Sequence, residues 1–357
     1  RVTANARHTF MNTSEIRNPL NVMSGSFDVA FVIVFLVPVF IIALTFDLLS
    51  REKERGILGL TMAHGVPLRA YIVSKALAIG VIIVVILGIS AAATLYIIDA
   101  DFSDPNMWVR LLFWSAVVLL YSLFWFVLAL LVNSFNKASV TNGVILANLW
   151  LVLVVVLPAA VNLAATTIYP APSRVSLTTE LREAASEAEE EAAQTREAFF
   201  FDHPEMAGED ANPDEFFVQV LATDAAVEES IAPIFESFAE QAEKRDAAVD
   251  ALQFLSPAIM AQQALNAVSE TNPETFAAFE QQILAFHDQW RGFYRDKILV
   301  GEPMGAADFD AIPQFEFQGR GLGGLIADLA GPLIGLTVVV IVLGLWAARR
   351  LDRYPIA

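Results

Sequence analysis

Asp47-Leu-Leu-Ser-Arg-Glu-Lys-Glu-Arg-Gly56, continued from Ile57 to Lys75, decides how the rest of the chain is read. Before it lies a run without charge, Val29 to Phe46, and after it a second apolar run opens at Ala76. Acid and base alternate in between, as they do in a short turn joining two membrane-crossing helices. The turn carries an amphipathic pattern of its own. Ile57, Leu58, Leu60, Thr61 and Met62 give an apolar side, and Arg51, Lys53, Arg55 and Arg69 a basic rim. A short helix of this kind lies flat on lipid headgroups or docks into a groove on another protein, and basic flanks suit both.

Working outward, composition sets the class. Of the 357 residues 56% are hydrophobic, and the mean hydropathy is +0.54. The charged fraction of 17% falls short of the roughly one quarter usual for soluble domains. The chain therefore reads as an all-α polytopic membrane protein. Its net charge of -18 is uneven, because three quarters of the 40 acids fall between Pro170 and Leu325. An acidic soluble domain interrupts a near-neutral membrane domain, and that charge argues against nucleic acid as a partner. There is no cysteine, which excludes disulfides and thiolate metal sites.

Hydropathy predicts five spans, over residues 28–49, 71–98, 108–132, 140–169 and 325–348, with kinks at Pro38 and Pro158. Asp104-Pro105 is placed to start the third. Arg51, Lys53, Arg55, Arg69, Lys75, Lys137, Arg349, Arg350 and Arg353 all fall on one side, which the bias of basic residues makes cytoplasmic. The expected organisation is an extracytoplasmic segment over 1–27, four spans over 28–169 with a cytoplasmic loop at 50–75, an acidic helical extracytoplasmic domain over 170–324, and a last span with a basic tail over 325–357. The chain opens on Arg1 and no leader precedes the first span. A sixth span upstream of Arg1 is expected, because it would place residues 1–27 outside.

Within the insert, Asn212-Pro213, Ser256-Pro257 and Asn272-Pro273 each set a capping residue before a proline, three helix starts. Phe216, Phe217, Val220 and Leu221, then Ile231, Ile234, Phe235 and Phe238, then Phe276, Phe279, Ile283, Leu284 and Phe286 recur at helical spacing. Beta-branched alternation is absent, so the insert is expected to be α-helical.

No ionisable residue is expected at mid-membrane depth; Asp28, Arg110 and Asp328 fall near one set of span ends and Asp47 near the other. Asn142, Asn148, Asn162, Ser90, Ser115 and Ser122 read mainly as polar contacts between packed helices. No phosphate-loop motif is present, and the Gly319 to Gly324 cluster reads as a hinge. His8, His64, His203 and His287 are too scattered for a ligand set, and the Glu187 to Glu191 run lacks the pattern of a calcium loop. No catalytic site or metal site is expected in the chain.

Glu52-Lys-Glu54-Arg-Gly56-Ile-Leu58, with Pro67-Leu-Arg69 and Ser74-Lys75, resembles the first cytoplasmic loop of ABC-2 type transporter permeases. Ile57 stands where that family usually has threonine, and Ser74 where it has glycine. The layout further resembles a branch related to the nitrous-oxide reductase maturation permease, with a large extracytoplasmic insert before the last helix. The resemblance implies the transmembrane subunit of an ATP-driven exporter in a bacterial inner membrane, without enzymatic activity of its own. ATP and Mg would be bound by cytosolic ABC ATPase subunits. A second permease copy or paralogue and membrane lipid are the other implied partners. The coupling residues it implies are Glu52, Glu54, Arg55, Gly56, Leu58, Leu60, Pro67 and Lys75, with Glu52 and Glu54 pairing with a basic ATPase surface and Gly56 allowing close approach. Two other readings stay open. In one, the insert loads or releases an extracytoplasmic partner protein and nothing crosses the membrane; in the other, the chain is a membrane-anchored scaffold without an ATPase.

Overall fold

The computed structural model describes residues 28–65, 67–97, 102–170, 178–188, 190, 213–300 and 305–355. The expected segment 1–27, the cap at Asn212, the residues Glu189 and Glu191, and the histidines His8 and His203 lie outside them. Among the described residues there are helices and no strands. Five helices are long and apolar enough to cross a membrane: Val29–Glu54, Ala70–Ile89, Pro105–Asn133, Ser139–Ile168 and Gly321–Leu351. Chain contacts divide the molecule into two compact units.

Among the described residues, the spans, within 28–163 and 320–355, form one unit together with 249–272. The third span is its hub. Val117, Val118, Tyr121, Phe124, Trp125 and Leu128 are buried, and Trp125 meets Phe124 and Tyr121 edge-on at 5.3 and 6.3 Å. Asp104 caps the helix as its sequence predicts, accepting from the Asn106 amide at 2.9 Å.

Where kinks are expected, at Pro38 and Pro158, the helices widen just ahead of the prolines. Val32–Leu36 and Leu151–Val156 are π-helical, and each ends two residues before a proline, Pro38 and Pro158. Proline has no N–H to return to the preceding turn, and its ring crowds the carbonyl there; a wide turn relieves both. Carbonyls in the wide turns are taken by side chains instead. Tyr121 Oη donates to Val34 O at 2.9 Å, Trp150 Nε1 to Phe35 O at 3.3 Å and Ser256 Oγ to Leu153 O at 2.5 Å. In an apolar surrounding these bonds replace what water would supply elsewhere.

Ser256 belongs to the stretch expected in the outer domain, and here the boundary changes. Residues 249–272 pack with the spans, so the expected 170–324 domain is not one unit. Ser256 caps the helix Pro257–Val268, which packs against the third and last spans and both π-helical stretches. Its start meets Leu153, midway along the fourth span. Its end is held at the far end of the third span, where Arg110 donates to Val268 O at 2.9 Å and to Glu270 at 2.5 Å. Asn272 and Arg320 both donate to Asp328 of the last span, at 2.8 and 2.5 Å. The helix is a wedge that enters between the spans from the end opposite their basic loops. The last span begins at Gly321, so Gly323 and Gly324 are helical, not a hinge.

The second unit, 164–248 with 273–319 among the described residues, is helical too. Residues 178–188 pack Leu181, Ala185 and Ala188 on Val227 and Ile231 of the helix Pro213–Leu252. On Pro273–Val300, Gln282 bonds both the N–H and the carbonyl of Gln318, at 2.9 and 2.8 Å. That clamp lays Phe315 and Phe317 against Phe279 at 5.9 and 5.5 Å.

Candidate functional site

The singled-out stretch is a helix broken three times. Within Val29–Glu54 the first helical stretch stops at Thr45, residues 46–49 turn, and Ser50–Glu54 make a short helix. Gly56, at φ +70°, turns the chain into Ile57–Ala63. That is the left-handed region, where a Cβ is strained. Gly65, at φ +84°, then leads to the second span at Leu68.

Asn133 fills the first break from the end of the third span, fully buried. Its Nδ2 donates to Thr45 O at 3.0 Å and Ala129 O at 2.9 Å. Its Oδ1 accepts from the Leu49 amide at 3.3 Å and from Asn142 at 3.4 Å. Thus one side chain satisfies the backbone where the helix cannot.

The acids of the loop are engaged within the chain. Glu52 accepts from Lys75 at 2.5 Å and from the Tyr71 hydroxyl, and Lys75 also donates to Leu48 O at 3.0 Å. Glu54 accepts from the Ser139 amide at 2.7 Å and the Ser139 hydroxyl at 3.0 Å, which caps the fourth span. Asp47 pairs with Arg51 at 3.1 Å. A partner surface that paired with Glu52 and Glu54 would have to displace these contacts. Because a cap of this kind is worth about 1 kcal/mol, Glu54→Ala is expected to lower stability by that amount and Glu54→Gln by less; thermal unfolding in detergent checks the order.

The remaining surface is apolar with a basic border. Ile57 and Leu60 are 45% and 63% exposed while Leu58 is 0% exposed, in one buried cluster with Leu49, Ile72, Leu351 and Tyr354. Gly59, Ala63, His64 and Pro67 are exposed beside them, and Arg51, Arg55, Lys137, Arg349, Arg350 and Arg353 are exposed at the same end. Of the eight residues singled out by resemblance, Arg55, Gly56, Leu60 and Pro67 face solvent, whereas Leu58 anchors the helix and Glu52, Glu54 and Lys75 brace it. The side chains of Met62 and Arg69 lie outside the described set.

Sequence reading missed Asn133, Ser139 and the tail. Lys53 donates to Pro355 O at 3.0 Å and lies 5.7 Å from the Tyr354 ring, and Arg350 stacks over Phe135 at 4.1 Å. These partners are up to 302 positions apart, and no local pattern announces them. Among the described residues no group of three His, Asp or Glu side chains could hold a metal ion. His287 stacks on Trp290 at 6.3 Å.

Residues 174–318 match the family model described as "Domain of unknown function (DUF3526)", less than half of the chain. No curated protein and no solved structure matches.

Proposed function

We propose that the chain is the transmembrane permease subunit of an ATP-driven ABC-2 type exporter, paired with a second copy or a paralogue and coupled through residues 50–75 to separate ATPase subunits in the cytosol. It would sit in a bacterial inner membrane with the acidic insert outside. The observation that carries this reading is the helix Ile57–Ala63, which buries Leu58 beneath it and offers Ile57 and Leu60 outward within a basic border. With the loop acids occupied inside the chain, the surface offered to a partner is apolar and positive. The ATPase groove that fits it has an apolar floor and acidic edges.

Purification from the native membrane with a gentle affinity tag tests the reading. A stoichiometric subunit carrying a phosphate-loop ATPase is expected, and recovery of the chain alone under conditions that preserve other such complexes would overturn it. Leu60→Glu should reduce the recovered ATPase about tenfold, as loss of an apolar anchor does. Unchanged recovery would instead favour the helix lying in the headgroups.

A second reading, in which the insert is worked as a lever on an extracytoplasmic partner, is favoured by the wedge 249–272. Part of the insert is seated among the spans, so their movement would reach it directly. A continuous cavity between paired permeases would favour export, and a sealed interface the lever.

A further inference from the structure

We propose that Leu351 to Pro355, the tail of the last span, are the positioning element of the docking helix, so that the first basic loop and the last span move as one body. The effect on coupling rests on the function proposed above; the structural claim does not.

The loop helices cannot orient themselves. They are five and seven residues long, far below the length at which a helix is stable alone in water. Their direction must come from what they pack on. In Ile57–Ala63 the only fully buried side chain among those described is Leu58, and two of the four other buried members of its cluster, Leu351 and Tyr354, come from the tail. The last span ends at Leu351, and the chain turns back through hydrogen bonds from Arg353 N to Arg350 O and from Tyr354 N to Leu351 O, each 3.1 Å. That turn brings Tyr354, 6% exposed, into the buried cluster that holds Leu58. Ser50–Glu54 is held by the same tail, through Lys53 to Pro355 O and over the Tyr354 ring. Both pieces of the loop therefore rest on one strap.

Tyr354 acts by its ring. Its hydroxyl is buried with no hydrogen-bond partner among the described residues, and burial pushes the phenol above its ordinary value, so it stays neutral. Phenylalanine should replace it without loss, while alanine should not.

The test uses the full chain, which has no cysteine, so that Leu58→Cys is its sole thiol. Labelling by a hydrophilic maleimide should be slow, equally slow with Tyr354→Phe, and about tenfold faster with Tyr354→Ala, because the helix opens locally. Equal rates in Tyr354→Ala would overturn the proposal. A control thiol at the buried fourth-span position, Leu146→Cys, should stay unlabelled in Tyr354→Ala; labelling there too would show general loosening and also overturn it. In the complex with its ATPase, Tyr354→Ala should lower permease-stimulated hydrolysis and Tyr354→Phe restore it. If no ATPase accompanies the unaltered chain, the function proposed above fails, and the labelling rates still decide the strap.

Discussion

Asn133→Leu is expected to lower stability by about 2–3 kcal/mol, the cost of leaving a buried amide without its acceptor and of taking one acceptor from a second buried polar side chain. Leucine shares asparagine's branch at Cγ and is the larger of the two, so the loss would not come from a cavity. Thr45 O keeps a bond from the Leu48 amide at 3.2 Å, but the Leu49 amide loses its side-chain acceptor. Asn142, whose Oδ1 already lacks a partner among the described residues, loses one of the two acceptors of its amide and keeps Ser50 Oγ at 3.3 Å. Because Asn133 bridges the break between the first span and the loop, the damage should appear first at the loop, as faster proteolysis near Arg51 to Arg55. Thermal unfolding measures the whole effect. A loss below about 0.5 kcal/mol, the range of ordinary surface changes, would mean that the turn finds its bonds elsewhere.

Gly335→Leu is the second large effect, at about 1–3 kcal/mol from overpacking. A Cβ at Gly335 would lie 2.5 Å from Met260 Sδ and 2.8 Å from the Phe254 ring, so any side chain meets the wedge. Part of the clash should be removed by Met260→Ala, making the two substitutions non-additive; contacting residues couple in this way. Unfolding midpoints of the two single variants and the double variant decide it. Strict additivity would place the wedge away from the last span.

The spans were legible because their cue is composition over some twenty residues, which no tertiary contact overrides. Asp104-Pro105 and Ser256-Pro257 were legible because a cap is a local device. The wedge was hidden for the opposite reason. Pro257 to Val268 is twelve residues with two adjacent glutamines, too short for a span, and it sits in the acid-rich part of the chain. Nothing local distinguishes it from a helix in water. At the candidate site, the apolar and basic pattern marked the right loop, and Leu60 and Arg55 do face out. The roles of Glu52 and Glu54 could not be read, since a carboxylate looks the same in sequence whether it meets a partner protein, Lys75 or the first turn of another helix. Tyr354 was equally silent, because a lone aromatic beside three arginines reads as an interfacial tail.

The wide turns ahead of Pro38 and Pro158 bear on how these spans could be set in motion. A bulge of this kind can migrate along a helix, each amide trading one carbonyl for its neighbour, and the residues it passes advance by about 1.5 Å and turn by about 100°. Both bulges face the wedge. A screw-like slip of the first and fourth spans could therefore exchange the side chains presented to it without baring the backbone to lipid, which rigid tilting does not provide. Thiol accessibility scanned along 29–37 and 150–158 would reveal such a slip as a change of reactive face rather than a uniform rise.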